Sequence, residues 1–86
     1  MADQKEITVE EIKEIVEIGL DDEIPAFAMD GNWYEEYGMD SLGAIAIVVE
    51  TQKRFDVRLP DDAMPHIFTG NQLVEQIEKM REALVA

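Results

Sequence analysis

Behind the pair Asp40-Ser41 the chain runs apolar without a break from Leu42 through Gly43, Ala44, Ile45, Ala46, Ile47 and Val48 to Val49. Such a segment must be covered, by neighbouring elements or by a partner. Its β-branched residues argue for a strand, but its length and helical spacing favour a helix. Asp40 supplies the N-cap, and the helix is expected from Ser41 to about Arg54. Leu42, Ile45, Ala46 and Val49 follow an i, i+3, i+4, i+7 spacing and form the expected inward face, leaving Ala44, Ile47 and Val48 off that stripe.

The remaining elements are read around this helix. Thr8-Val9-Glu10-Glu11 is a capping box that opens a first helix, with Val9, Ile12, Val16 and Leu20 on one face and Ile15 beside it. Gly19 is expected to weaken its end. From Asp21 to Met39 the periodicity breaks at Pro25 and at Asp30-Gly31, yet Ile24, Phe27, Met29, Trp33, Tyr34 and Tyr37 make the segment too apolar for a flexible linker. It reads as a long ordered loop with one short turn of helix. After Phe55 the chain extends to Pro60, which disfavours helix in the residue before it. Asp61 or Asp62 then caps a short third helix limited by Pro65. Thr69-Gly70-Asn71-Gln72 repeats the capping pattern before a last helix with Leu73, Ile77, Met80 and Leu84 on one face and Val74 at its edge. The expectation is one all-α domain over residues 1–86, with 1–6 disordered and a small core.

Charge narrows the function classes. Twenty acidic residues against seven basic ones give a net charge of −13. No basic patch is available to displace counterions from nucleic acid, and anionic membrane surfaces are disfavoured for the same reason. Steering toward partners with basic surfaces fits the charge, as does plain solvation. The absence of cysteine excludes disulfides and thiolate metal sites and suits a reducing cytoplasm. No apolar run approaches the ~20 residues that span a bilayer, and the polar start Met1 to Glu6 lacks a signal-peptide core. That start and Met1 point to a natural terminus and a free-standing protein.

Two metal readings fail. Asp30-x-Asn32 begins like a calcium loop, but Tyr34 and Glu35 occupy its fifth and sixth positions, where glycine is needed at the sixth. The pairs Asp21-Asp22, Glu35-Glu36 and Asp61-Asp62 would hold divalent ions only loosely. No metal site is expected.

Ser41 is the candidate functional residue. Serine alone is a weak nucleophile, and the one histidine, His66, reads as a surface or helix-end residue. No Gly-x-Ser-x-Gly elbow is present, so a hydrolase is disfavoured. At the N-terminus of its helix, however, Ser41 lies at the positive end of the helix dipole, where an anion is tolerated. Trp33 and Tyr34 could line a ligand groove, but packing explains them as well.

The run Gly38-Met39-Asp40-Ser41-Leu42, the apolar helix behind it, and Phe55-Asp56-Val57-Arg58-Leu59-Pro60-Asp61-Asp62 together resemble the acyl carrier proteins, over residues 8–84. The resemblance implies a four-helix bundle and a carrier that is not an enzyme. Ser41, flanked by Asp40, would bear covalent 4′-phosphopantetheine drawn from coenzyme A, whose thiol holds acyl groups as thioesters. It implies a phosphopantetheinyl transferase as partner, with acyltransferase, ketosynthase or adenylation-type loading enzymes, and a monomeric state. Met39, Leu42, Ala44, Ile47 and Val48 are the expected partner face. Fatty-acid carriers commonly present an acidic second helix, whereas this one has Gly43 and Ala46 at customary acidic positions and Glu50 as its one acid. The departure favours a polyketide or hybrid pathway. A peptidyl or aminoacyl carrier and an unmodified helical interaction module stay open.

Overall fold

The computed structural model describes residues 6–85, in which four α-helices and one 3₁₀ helix follow one another without strands. They are α1 (Val9–Leu20), α2 (Trp33–Tyr37), α3 (Ser41–Phe55), the 3₁₀ helix Asp61–His66, and α4 (Gly70–Val85). This is the expected all-helical bundle, with the helical turn of the long loop realised as α2. Expectations for residues 1–5 and for the side chain of Leu84 lie outside the described residues.

Local chemistry sets the helix starts. The Glu11 amide donates to Thr8 Oγ1 at 3.1 Å and opens α1. In the second capping pattern the Gln72 amide donates to Thr69 Oγ1 at 3.1 Å, while the Gln72 side chain accepts from the Phe68 amide at 2.9 Å, one residue before the cap. The 3₁₀ helix departs from expectation. Its N-cap position falls on Pro60, which has no capping side chain, rather than on an aspartate. Pro60, with extended ψ, starts the turn one residue earlier than the aspartates could.

α1 and α3 run antiparallel: Gly19 meets Gly43 at one end, and Glu11 meets Arg54 at the other. The contact is close because neither glycine has a side chain. A Cβ on Gly19 would lie 2.6 Å from the Gly43 carbonyl oxygen, and one on Gly43 would lie 2.5 Å from that of Gly19. Gly19, one residue before the end of α1, therefore also serves close approach between helices. The far end is tied by Arg54, which donates to Glu50 at 2.7 Å, Glu14 at 2.9 Å and Glu11 at 3.0 Å.

The glycine contact decides which face of α3 turns inward. Gly43, Ala44, Ile47, Thr51 and Phe55 are buried, with Ile47 at 0% exposure, while Leu42, Ile45 and Val49 are 75%, 50% and 56% exposed. The expected inward stripe of Leu42, Ile45, Ala46 and Val49 is thus corrected: three of its members face solvent and Ala46 is half-buried. Because the helix is apolar nearly all round, its own periodicity carries little directional information. Backbone proximity to α1 supplies the direction. On α1 itself Ile12, Ile15 and Val16 are buried as expected, but Val9, the first residue of the helix, is exposed. Leu73 and Ile77 of α4 complete the core with Ile24, Trp33, Val57, Leu59 and Ile67.

The segment between α1 and α3 is held in place by bonds from its backbone amides and from that of Asn71. The Ile24 amide donates to Glu17 Oε2 at 2.8 Å and the Ala28 amide to Tyr37 Oη at 2.9 Å. The Trp33 amide donates to the Phe68 carbonyl at 2.8 Å, and the Asn71 amide to that of Met29 at 2.9 Å. Phe27 stacks on Tyr37, and Trp33 is buried in the core. Among the described residues no helix is long and apolar enough to cross a membrane.

Candidate functional site

Ser41 stands at a corner built by two abrupt backbone events. Gly38, at φ 71°, ends α2 in the left-handed region that glycine enters without penalty, and its amide donates to the Trp33 carbonyl. Two residues later Asp40 takes an extended conformation and caps α3. Asp40 Oδ1 accepts from the Gly43 amide at 2.8 Å, and its carbonyl accepts from the Ala44 amide at 3.0 Å. Ser41 is the first residue of α3 and is exposed. The cap belongs to Asp40, so the Ser41 hydroxyl is not needed to start the helix. The surrounding N-terminus carries the partial positive charge of the helix dipole.

The neighbours of Ser41 divide by burial. Leu42 projects into solvent, whereas Met39, Ala44 and Ile47 lie in the core and Val48 packs against it half-buried. Ile47 is fully buried and Met39 and Ala44 expose only 6% and 5%, so of the partner face drawn from the sequence Leu42 is the member that projects outward. The exposed apolar side chains of α3 are Leu42, Ile45 and Val49. The sequence held one usable signal for this, two glycines spaced to meet across antiparallel helices, but Gly19 was interpretable in isolation as a helix-weakening residue.

His66 is exposed at the end of the 3₁₀ helix. Trp33 is core, and Tyr34 is exposed. Among the described residues no group of three or more His, Cys, Asp or Glu side chains is placed to hold a metal ion. Arg54 is strongly perturbed. Its hydrogen bond to Glu50, with further bonds to Glu14 and Glu11, holds the guanidinium more firmly protonated than usual against the opposing effect of burial.

Ser41 thus presents an exposed hydroxyl at a capped helix start. The family model described as "Phosphopantetheine attachment site" matches residues 6–80. The chain belongs to this family, that of the acyl carrier proteins, whose members carry covalent 4′-phosphopantetheine and are carriers rather than catalysts. It is similar to an acyl carrier protein of Amoebophilus asiaticus (strain 5a2), with 35% identity over 51 residues. That match covers 59% of this chain and 64% of the relative, somewhat under two thirds of the relative's length.

Proposed function

We propose that this protein is an acyl carrier in which Ser41 bears the 4′-phosphopantetheine arm, serving a polyketide or related biosynthetic pathway in the cytoplasm. The observation that carries the reading is Ser41 itself: an exposed hydroxyl on the first turn of α3, inside the segment matched by the attachment-site family. The residues fit the group. Asp40 holds the first turn closed, Gly38 turns the chain so that Ser41 faces outward, and the helix dipole accommodates a phosphodiester.

In the loading step the Ser41 hydroxyl gives its proton to a base of the transferase. Its Oγ forms a bond to the pantetheine-bearing phosphorus of coenzyme A. The pyrophosphate P–O bond breaks, and adenosine 3′,5′-bisphosphate leaves. A base from the transferase is required because a lone serine is a weak nucleophile. Once attached, the arm supplies a thiol that holds acyl groups as thioesters.

The pathway assignment rests on α3. Its solvent face offers Leu42, Ile45 and Val49, and its one acidic residue, Glu50, is engaged by Arg54. A surface of this kind suits partner enzymes with apolar docking surfaces, such as an acyltransferase or ketosynthase, better than ones that read an acidic helix. The test is intact mass after incubation with coenzyme A and a broad-specificity phosphopantetheinyl transferase. We expect one arm's mass on the wild type and none on Ser41→Ala. No gain on folded wild-type protein would make the chain an unmodified helical module.

A further inference from the structure

A cleft of about 260 Å³ opens beside Ser41, between the C-terminal end of α1 and the corner that joins α2 to α3. Leu20 and Asp21 form one wall, and Met39, Asp40 and Leu42 the other, so the exposed Ser41 stands in the chain between two lining residues. We infer that this cleft seats the pantoyl segment of the arm on Ser41 and leaves the thiol end with its cargo outside the bundle. The inference rests on the carrier reading above.

Three observations lead to it. The first is the tether. A group anchored at Ser41 is held at an effective concentration of about millimolar over the adjacent cleft, so weak contacts suffice to seat it. The second is chemical match. Beyond its phosphodiester the arm continues as a neutral branched unit with two geminal methyls, a hydroxyl and an amide. Leu20, Met39 and Leu42 provide apolar contact for the methyls. The carboxylates of Asp21 and Asp40 can accept from the hydroxyl and the amide N–H. The same two carboxylates repel the phosphate, which stays on the rim at the positive end of α3.

The third observation is the floor. Gly19 and Gly43 bring α1 and α3 so close that a Cβ on Gly43 would stand 2.5 Å from the Gly19 carbonyl oxygen. The cleft ends there, and no chain threads between these helices. Its volume also falls below the ~300–1,000 Å³ of ordinary small-ligand sites. It can take part of the arm but not the arm with its cargo. The cargo is left reachable by partner enzymes.

The deciding measurement is an isotope-filtered NOE experiment on holo protein with labelled methyl groups, loading being checked first by intact mass. We expect cross-peaks from the arm's geminal methyls to the δ-methyls of Leu20 and the ε-methyl of Met39. We also expect amide shift changes at Gly19, Leu20 and Asp21 between apo and holo forms. Leu20 is the critical reporter, because it is distant from Ser41 in sequence and reaches the arm only across the cleft. A loaded protein whose contacts stop at Leu42, with residues 19–21 unshifted, would overturn the cleft assignment and leave the carrier reading standing. A protein that gains no mass would remove both.

Discussion

Replacing Gly43 by alanine sets two effects against each other. Alanine is the better helix former by about 1 kcal/mol. Its Cβ, however, would meet the backbone of Gly19 and the sulfur of Met39, and a backbone carbonyl cannot rotate away. Overpacking of this kind costs about 1–3 kcal/mol, and we expect it to win. Gly43→Ala should lower the denaturation midpoint, whereas the same change at an exposed, unconstrained helical glycine would raise it. A midpoint at or above that of the wild type would show that α1 and α3 can part without loss. Ser41 contrasts with this. Since Asp40 is the cap, Ser41→Ala should leave stability within about 0.5 kcal/mol, whereas Asp40→Ala should cost about 0.5–2 kcal/mol. Thermal unfolding of the two variants side by side separates the residue that is modified from the one that holds the helix start. At this scale the sequence was informative wherever a residue acts on its immediate neighbours. Thr8, Asp40 and Thr69 each cap within three residues, so their roles could be read without knowing the fold. Gly19 acts on a residue in another helix, and nothing in its local context says so.

Among the elements, α3 separates helix existence from helix orientation. Its start and near-complete extent follow from Asp40 and the apolar run, but the direction it faces does not. Leu42, Ile45 and Val49 keep the spacing of a buried face and are nonetheless the exposed one, because Gly43 and Ile47 are what α1 can accommodate. A charge placed on the two faces should therefore have opposite consequences. Val49→Asp should leave the melting temperature nearly unchanged and weaken arm transfer or acyl loading, read as a rise in KM for the carrier. Ile47→Asp buries an unpaired carboxylate at a fully buried position and should abolish the cooperative transition. Unaltered loading kinetics for Val49→Asp would exclude this stripe as a docking surface. The loop before α3 follows the same logic. Its apolar content announced order, but its hydrogen bonds to Glu17 and Phe68 join it to other elements of the assembled bundle.

For the molecule as a whole, the main electrostatic fact is a net charge of −13 carried on a small bundle. Arg54 counters it where α1 and α3 run side by side, with Glu11, Glu14 and Glu50 around one guanidinium. The Glu50–Arg54 pair is an i, i+4 spacing visible in the sequence, but the bonds to Glu11 and Glu14 depend on antiparallel packing. The arginine side chain is 19% exposed, between the surface pairs that contribute little and the buried ones whose disruption is severe. Arg54→Gln keeps hydrogen-bonding capacity but leaves three carboxylates facing one another across the helix pair. We expect a loss of about 1–3 kcal/mol, and for a domain of this size each 1 kcal/mol moves the melting temperature by roughly 4–8 °C. The response to salt distinguishes repulsion from lost packing. Raising ionic strength from 0.1 M to 1 M shortens the screening length from about 10 Å to about 3 Å. Sodium chloride should therefore raise the melting temperature of both proteins, because both are strongly acidic. It should raise that of Arg54→Gln more, closing part of the gap. Parallel salt curves would mean that Arg54 holds the helices by its bulk and that its charge contributes nothing measurable to the fold.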